Sequence, residues 1–358
     1  DKGVQLMDSR ERFLRALSFE EVDKVPMPCL FYPMHSETVR RWQREGMPRD
    51  VHPIAYFGLE RAELVPIQIG PLPHYERAHL EEVEEWRLGV DRDLKAQVAP
   101  EIAVAEEQFP IRTASDWERF KTLLNPNSPA RYPRFWDDYA RHARARDYPL
   151  GISVGSVLGW MLEWMGANGL KEFWQSQPKF LEQFMDEVTD FVLQVVERAV
   201  NDVSPDFAML SESRVYQAAP LMRSKRFCQA IARNYRKLTD WLESKNVRHR
   251  IIYALGRLDG FLKIWAETGW TALAPLEASS VDAFSLRRNF GKQFALIGNL
   301  DRKCLAATKR EVGDEVRRLS LLYEQGGFIP APDGTLLPDV PLENFRYCLN
   351  LLRRTQLM

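Results

Sequence analysis

The stretch that decides the fold is residues 250–299, RIIYALGRLDGFLKIWAETGWTALAPLEASSVDAFSLRRNFGKQFALIGN. Three short apolar runs, RIIYAL, TALAPL and FALIGN, alternate here with more polar connections. In the connection LDGFLKIWAETG, apolar residues recur at helical spacing, and Gly269 is a suitable helix stop. Short runs that are apolar on both faces are typical of strands buried in a parallel sheet. The stretch therefore predicts alternating parallel strands and helices.

The same alternation continues outward from this stretch in both directions. Further apolar runs lie at residues 25–32, 64–69, 150–155, 206–211 and 327–332. The connections between the later runs have the apolar spacing of amphipathic helices. Eight strand–helix units predict a single (β/α)8 barrel of the α/β class. A doubly wound open sheet is the alternative, but it requires a glycine-rich turn after its first strand, and VPMPCLFYPMHS has none.

The domain organisation follows from this count. A length of 358 residues fits two domains or one barrel, and the continuous alternation favours one domain over 1–358. Residues 1–24 are expected to form an N-terminal helical extension, and residues 70–148 an elaborated connection between the second and third strands. Within that connection, residues 79–100 suggest a hairpin that turns near Gly89. Residues 113–124 and 131–146 predict helices.

Composition excludes several classes of protein. Lys and Arg number 49 against 50 Asp and Glu, so the net charge of -1 argues against nucleic-acid binding. The chain has no apolar run long enough to span a membrane, and its charged start lacks the apolar region of a signal peptide. The four cysteines are far apart, which argues against a disulfide framework and a thiolate zinc site. We therefore expect a cytoplasmic protein.

Functional side chains of such a barrel lie at its mouth, meaning the C-terminal ends of the strands and the loops that follow them. The expected catalytic residues there are Glu212, Asp301, Asp333 and His35, and the expected substrate-binding residues are Arg214, Tyr216, Tyr253, Arg257, Glu277, Asn299, Trp160 and Ser156. Buried charges must be paired, so these groups either pair with one another or bind a charged ligand. Arg214 and Arg257 suit bidentate binding of a carboxylate or phosphate.

Each of these candidates also has a structural interpretation. Glu212 could pair with Arg214 or Arg257, Asp301 could be a helix N-cap, and Asp333 could be an Asx-turn residue. Tyr253 and Trp160 could form pocket wall rather than act in catalysis. The chain has no HExxH or HxH pair, so no histidine metal site is predicted.

Several collinear segments carry a family resemblance. They are SRERFLRALSFEEVDKVP (9–26), YFGLERAELVPIQIGPLP (56–73), GISVGSVLGWMLEWMG (151–166), PLMRSKRFCQAIARNYRKLTDWL (220–242), PLEASSVDAFSLRRNFGKQFALIGNLD (275–301) and GGFIPAPDGTLLPDVPLENFRYCLNLL (326–352). With them the chain resembles the uroporphyrinogen decarboxylase superfamily, and more closely its decarboxylase-like branch that also holds cobalamin-dependent methyltransferases. The resemblance implies a single distorted (β/α)8 barrel with extra N-terminal helices, and it also implies a homodimer.

The motifs that divide this superfamily are altered here. The RQAGR-type anion-binding segment of the decarboxylases is replaced by FYPMHSETVRRW, and the histidine of their GHG segment by Gly334. At the positions of the methyltransferases' HxCG zinc segment, this chain has Tyr253, Leu255 and Gly256, and Asp333 stands where their later cysteine lies. The resemblance therefore implies no zinc-binding thiolate. The closest branch carries DSDGN where this chain has YALGR, whereas its SE, PLE and GNLD patterns are present. Losing acids and gaining Arg257 implies a more anionic substrate, and the classical tetrapyrrole is not expected.

Three functions remain open. The first is cofactor-free decarboxylation, or a related C–C lysis, of a small anionic substrate; Arg214 or Arg257 would orient its carboxylate, and Glu212, Asp301 or Asp333 would supply the proton. The second is an O-demethylase type of methyl transfer with a corrinoid protein partner, or with tetrahydrofolate, without the usual zinc site. The third is a catalytically inert barrel that binds a ligand.

Overall fold

The computed structural model describes residues 7–70 and 109–355 and contains one parallel sheet of seven strands. The strands are β1 (Glu63–Leu64), β2 (Leu150–Ser153), β3 (Phe207–Ser211), β4 (His249–Tyr253), β5 (Ala272–Leu276), β6 (Ala295–Leu300) and β7 (Phe328–Pro332). Each strand pairs with the next one along the chain, and every pairing is parallel. The sheet is a curled half-barrel, consistent with a distorted (β/α)8 fold.

Helices precede the sheet and connect its strands. They are α1 (Ser9–Leu17), α2 (Ser36–Arg44), α3 (Pro53–Phe57), α4 (Ala114–Lys121), α5 (Trp136–Arg144), α6 (Leu158–Ser176), α7 (Pro178–Val203), α8 (Lys225–Ser244), α9 (Leu262–Glu267), α10 (Ala283–Phe290), α11 (Arg302–Ala306), α12 (Lys309–Tyr323) and α13 (Leu342–Arg354). Helices α4 and α5 lie in the two segments of the long connection that were predicted as helical. The predicted hairpin at residues 79–100 lies outside the described residues.

The first predicted strand is wrong. Residues 25–32 contain a 3-10 turn, Cys29–Phe31, and a single β-bridge that joins Pro28 to Glu60. A second isolated bridge joins Met34 to Leu336, beyond the end of β7. The segment thus contacts both open edges of the sheet, where an eighth strand was expected, without forming a ladder.

Proline explains why this segment is not a strand. Pro26, Pro28 and Pro33 have no N–H to donate, whereas a strand that closed the sheet would need donors toward both of its neighbours. The prolines of the described sheet itself lie in β7, which pairs with β6 alone, and at the register shift of β5. Side chains complete the contact with the last strand instead: the Tyr32 hydroxyl donates to the carbonyl of Pro330 over 2.7 Å. The apolar run reflected burial in the core rather than strand pairing.

The core explains why the other runs are strands. All residues of β5, β6 and β7 are buried, as expected for strands covered on both faces. Packing between β2 and β3 leaves no room at Gly151, where an added Cβ would lie 2.2 Å from the Phe207 ring.

In the described part of the chain, no helix combines the length and apolarity needed to cross a membrane.

Candidate active site at the mouth of the barrel

Glu212 follows β3 and is completely buried. Its two carboxylate oxygens accept five hydrogen bonds from described residues. The donors are the Ser156 hydroxyl (3.0 Å), the backbone N–H groups of Val157 (3.2 Å), Leu158 (3.1 Å) and Gly159 (2.5 Å), and the Tyr235 hydroxyl (2.9 Å). The carboxylate therefore satisfies the first N–H groups of α6, which no intrahelical partner can satisfy.

This coordination makes Glu212 an anchor between two strand ends and helix α8. Burial raises the pKa of Glu212, and hydrogen bonds from Gly159, Tyr235, Leu158 and Ser156 oppose that rise. The alternative ion pair with Arg257 is not formed, because that arginine is 82% exposed and pairs with Asp259 at 3.3 Å. Ser156, expected to bind substrate, is 2% exposed and also accepts from the Trp160 N–H, so its hydroxyl is engaged on both sides.

Glu277 and Asp301 also bind backbone amides. Glu277 follows β5, and its Oε2 accepts from the Gly256 N–H over 2.5 Å, which holds the loop after β4. Asp301 follows β6 and accepts from the Lys303 N–H over 2.8 Å, so it is the N-cap of α11. The structure thus agrees with the structural interpretation of Asp301.

Asn299, in β6, is buried and has a positive φ of 58°, a conformation that asparagine tolerates better than most residues. Its Nδ2 donates to the Val281 carbonyl over 3.0 Å. Its Oδ1 accepts from both Nη atoms of Arg318, which also pairs with Glu315 at 2.7 Å. Both ends of the amide are therefore occupied by protein groups.

Asp333 differs from these residues. It directly follows β7 and is 6% exposed, yet each of its oxygens accepts only one hydrogen bond from the described residues. Oδ2 accepts from the Ala278 N–H and Oδ1 from the Arg302 N–H, both over 3.2 Å. The Arg302 guanidinium is near but not in close contact, with Nε 3.9 Å from Oδ1.

Burial raises the pKa of Asp333 to about 6, although both amides and Arg302 favour its charged form. A carboxyl group with this pKa changes its protonation state close to neutral pH. Strongly perturbed carboxyl groups in a concave site are candidates for acid–base catalysis. Burial also raises the pKa of Glu212, but five donors occupy its oxygens, so Asp333 is the better candidate for proton transfer.

His35, the fourth expected catalytic residue, caps α2. Its Nδ1 accepts from the Glu37 N–H over 3.2 Å, and its backbone N–H donates to the Leu336 carbonyl over 3.0 Å. Capping occupies one ring nitrogen and fixes the ring at the start of the helix. The side chain therefore has a structural role in addition to any chemical one.

The expected aromatic residues and Arg214 occupy the rim of the mouth. Trp160 is half-buried and stacks on Trp164 with ring centroids 5.1 Å apart. Tyr216 is 45% exposed and covers Gly256, where an added Cβ would lie 2.8 Å from its ring. Tyr253, the last residue of β4, is half-buried, as is Arg214 after β3.

Three residues of this region were missed by sequence reasoning: Tyr235, Arg302 and Arg318. Arg302 had a usable signal, because it directly follows the GNLD segment at the end of β6. Tyr235 and Arg318 lie inside α8 and α12, and their contacts with the mouth depend on how those helices pack. No local pattern distinguishes them from other helix residues.

A separate groove of about 1330 Å³ lies between the segment that precedes β1, residues 126–139 and α7, and none of the twelve expected site residues lines it. We place the candidate site at the mouth, because catalytic residues of barrels of this type follow the strand ends. Across residues 7–70 and 109–355, no group of three or more His, Cys, Asp or Glu side chains is arranged to hold a metal ion.

Comparison with known proteins gives one family and a structural relative. The family model described as Uroporphyrinogen decarboxylase (URO-D) matches residues 83–355, which is more than half of the chain. A methyltransferase from Methanosarcina mazei has a similar structure, with a TM-score of 0.56 and 18% sequence identity; the match covers 97% of this chain and 98% of the other. At this identity the likeness supports the fold alone. No curated protein matches the sequence.

Proposed function

The chain belongs to the uroporphyrinogen decarboxylase family, and from that premise we propose that it is an enzyme that protonates a small anionic substrate during decarboxylation or related C–C cleavage. The observation that carries the proposal is Asp333. It is a buried carboxyl group with a pKa of about 6 at the end of β7. A general acid works best when its pKa lies near the operating pH.

The other acids at the mouth are less suited to this step. Glu212 accepts five hydrogen bonds, and Asp301 caps a helix. Glu277 accepts a short bond from the Gly256 amide. Donating a proton from any of them would require the acid first to give up contacts that hold the loops in place.

The proposed step balances with one proton. The bond between the substrate carbon and its carboxylate breaks, CO2 leaves, and the electron pair stays on the carbon. Protonated Asp333 then gives its proton to that carbon and becomes a carboxylate, which regains a proton from water. Nearby hydrogen-bond donors would stabilise the developing charge, the kind of contribution that commonly dominates catalysis.

The test is CO2 release from a panel of small carboxylic acids by the full chain and by Asp333→Asn. We expect a loss of roughly 100-fold or more, the usual contribution of a general acid. Wild-type activity should also fall as the pH rises above about 6, because the protonated fraction of Asp333 falls. Asp314→Asn, an exposed carboxylate on α12, is the matched control and should keep full activity. Unchanged CO2 release by Asp333→Asn would contradict the proposal.

A second candidate function is methyl transfer with a corrinoid protein partner or tetrahydrofolate. A solved structure with a similar fold is described as a methyltransferase, and the branch that the sequence resembles also holds such enzymes. In an O-demethylation the oxygen–methyl bond breaks, the methyl group passes to the acceptor, and Asp333 would protonate the departing oxygen. Demethylation of methoxy compounds that depends on an added corrinoid protein, without CO2 release, would favour this candidate over the first.

A further inference from the structure

Arg302 is the first residue of α11 and lies beside Asp333. Its side chain is 25% exposed, so it is largely enclosed but open to solvent. Nη1 donates to the Thr335 carbonyl over 3.2 Å, and Nε lies 3.9 Å from the nearer oxygen of Asp333. Within the described ranges, no acceptor engages Nη2. The guanidinium is thus held in position with one edge available.

Gly334 provides the space for this guanidinium. An added Cβ at Gly334 would lie 3.2 Å from Nη1 of Arg302, which is tighter than ordinary van der Waals contact. The backbone does not require glycine here, because Gly334 is not among the residues with positive φ. The absence of a side chain at position 334 therefore leaves room for the arginine rather than permitting an unusual turn.

We propose that Arg302 binds a carboxylate group of the substrate beside Asp333, and that Gly334 keeps that position open. The inference rests on the proposed function for the site and deepens it, because it names the binding residue and the substrate class. A guanidinium binds a carboxylate through two parallel N–H groups, and one largely enclosed by protein loses less of this interaction to water. Arg257, one of the two arginines expected from sequence, is 82% exposed and already paired.

Binding at Arg302 should be coupled to the proton on Asp333. The charged groups that act on Asp333 are Arg302, which favours its ionised form, and Asp301, which disfavours it. A substrate carboxylate at Arg302 adds a negative charge near Asp333 and so favours the protonated acid. Binding therefore takes up a proton, and affinity should fall as the pH rises from 6 to 8.

The experiment measures binding of acetate, malonate, succinate and benzoate to the full chain by calorimetry, with the matching neutral amides as controls. At least one carboxylate should bind while its amide does not. Arg302→Gln should weaken that binding about tenfold or more, and Arg302→Lys should restore part of it. Arg317→Gln, an exposed arginine on α12, is the control and should bind as the wild type does. In Asp333→Asn, binding should persist and lose its pH dependence.

The possible results separate this inference from the proposed function. Arg302-dependent binding together with unchanged CO2 release in Asp333→Asn would refute the proposed function and leave the inference standing. Loss of CO2 release in Asp333→Asn, with carboxylate binding or KM unaffected by Arg302→Gln, would overturn the inference alone. Failure of every carboxylate to bind the wild type would also overturn it, as would binding lost in Arg257→Gln but not in Arg302→Gln.

Discussion

Replacing Asp333 with Asn should change how the free energy of unfolding depends on pH. Burial raises the pKa of Asp333 from 3.8 to about 6, so the folded chain holds the proton more tightly than the unfolded chain does. Its contribution to stability is therefore fully present below pH 3.8 and is lost as the pH rises through 6. Asn has no proton to lose, so the stability of the variant relative to the wild type should rise as the pH rises over this range.

The size of the effect follows from the two pKa values. A difference of 2.2 units between 6 and 3.8 corresponds to about 3 kcal/mol at 1.36 kcal/mol per unit. A second effect does not depend on pH: the Asn amide would place its NH2 group against the N–H of Ala278 or Arg302, which costs about 1–3 kcal/mol. The variant should therefore be less stable near pH 4 and of similar or greater stability near pH 8.

The assay is urea unfolding of both proteins at unit intervals from pH 4 to pH 8, with the difference in the free energy of unfolding plotted against pH. Taking the difference cancels the titration of groups that the two proteins share. Asp314→Asn, exposed and paired with Arg317, is the control and should give a flat line. A difference between Asp333→Asn and the wild type that does not change with pH would refute the reasoning. A stability of the variant that falls relative to the wild type as the pH rises would show that folding lowers the pKa of Asp333.

Three further changes test the structural roles by chemical unfolding. Glu212→Gln should lower the free energy of unfolding by about 3 kcal/mol, because the NH2 group of glutamine would face backbone N–H donors that now bind a carboxylate. A loss below about 0.5 kcal/mol would contradict the role of these hydrogen bonds. Gly298→Ala should lower the free energy of unfolding by at least about 3 kcal/mol, because the added Cβ would lie 2.6 Å from the Leu276 nitrogen and the φ of 112° is unfavourable for alanine. Gly334→Ala should lower it by less than about 1 kcal/mol, because the added Cβ would face only the flexible side chain of Arg302. Asn299→Ala should lower the free energy of unfolding by about 2 kcal/mol. Asn299→Gly should lower it by less, because glycine adopts the φ of 58° without strain. Equal losses in the two variants would argue against backbone strain at this position.

The fold could be predicted from sequence because its main signal is local. A strand buried on both faces needs a short run of apolar residues, and seven of the eight predicted runs overlap a strand of the sheet. The exception shows the limit of that signal. Residues 25–32 are as apolar as the others, but Pro26 and Pro28 lack the N–H donors that a strand paired on both sides would need, and burial alone does not make a strand.

The roles of the site residues could not be predicted in the same way. The residues that bind Glu212 lie 53 to 56 positions away, in the loop after β2 and the first turn of α6, and 23 positions away in α8. Which donors reach a carboxylate depends on the packing of several elements, and the sequence pattern around Glu212 carries no record of it. Arg257 was expected to bind substrate on the basis of its type and position in the chain, but the loop directs its side chain into solvent.

The number of donors on each acid separates the acids at the mouth, although all are of the same chemical type. Burial disfavours a carboxylate, and each hydrogen bond from a neutral donor compensates part of that cost. Glu212 accepts five hydrogen bonds and binds the start of a helix. Asp333 accepts only two hydrogen bonds from described residues, both from backbone N–H groups at 3.2 Å, and the guanidinium of Arg302 is 3.9 Å away. Burial raises the pKa of both acids, so the two differ in how far their oxygens are occupied by donors and not in the direction of the pKa shift. For that reason we propose a proton-transfer role for Asp333 and an anchoring role for Glu212.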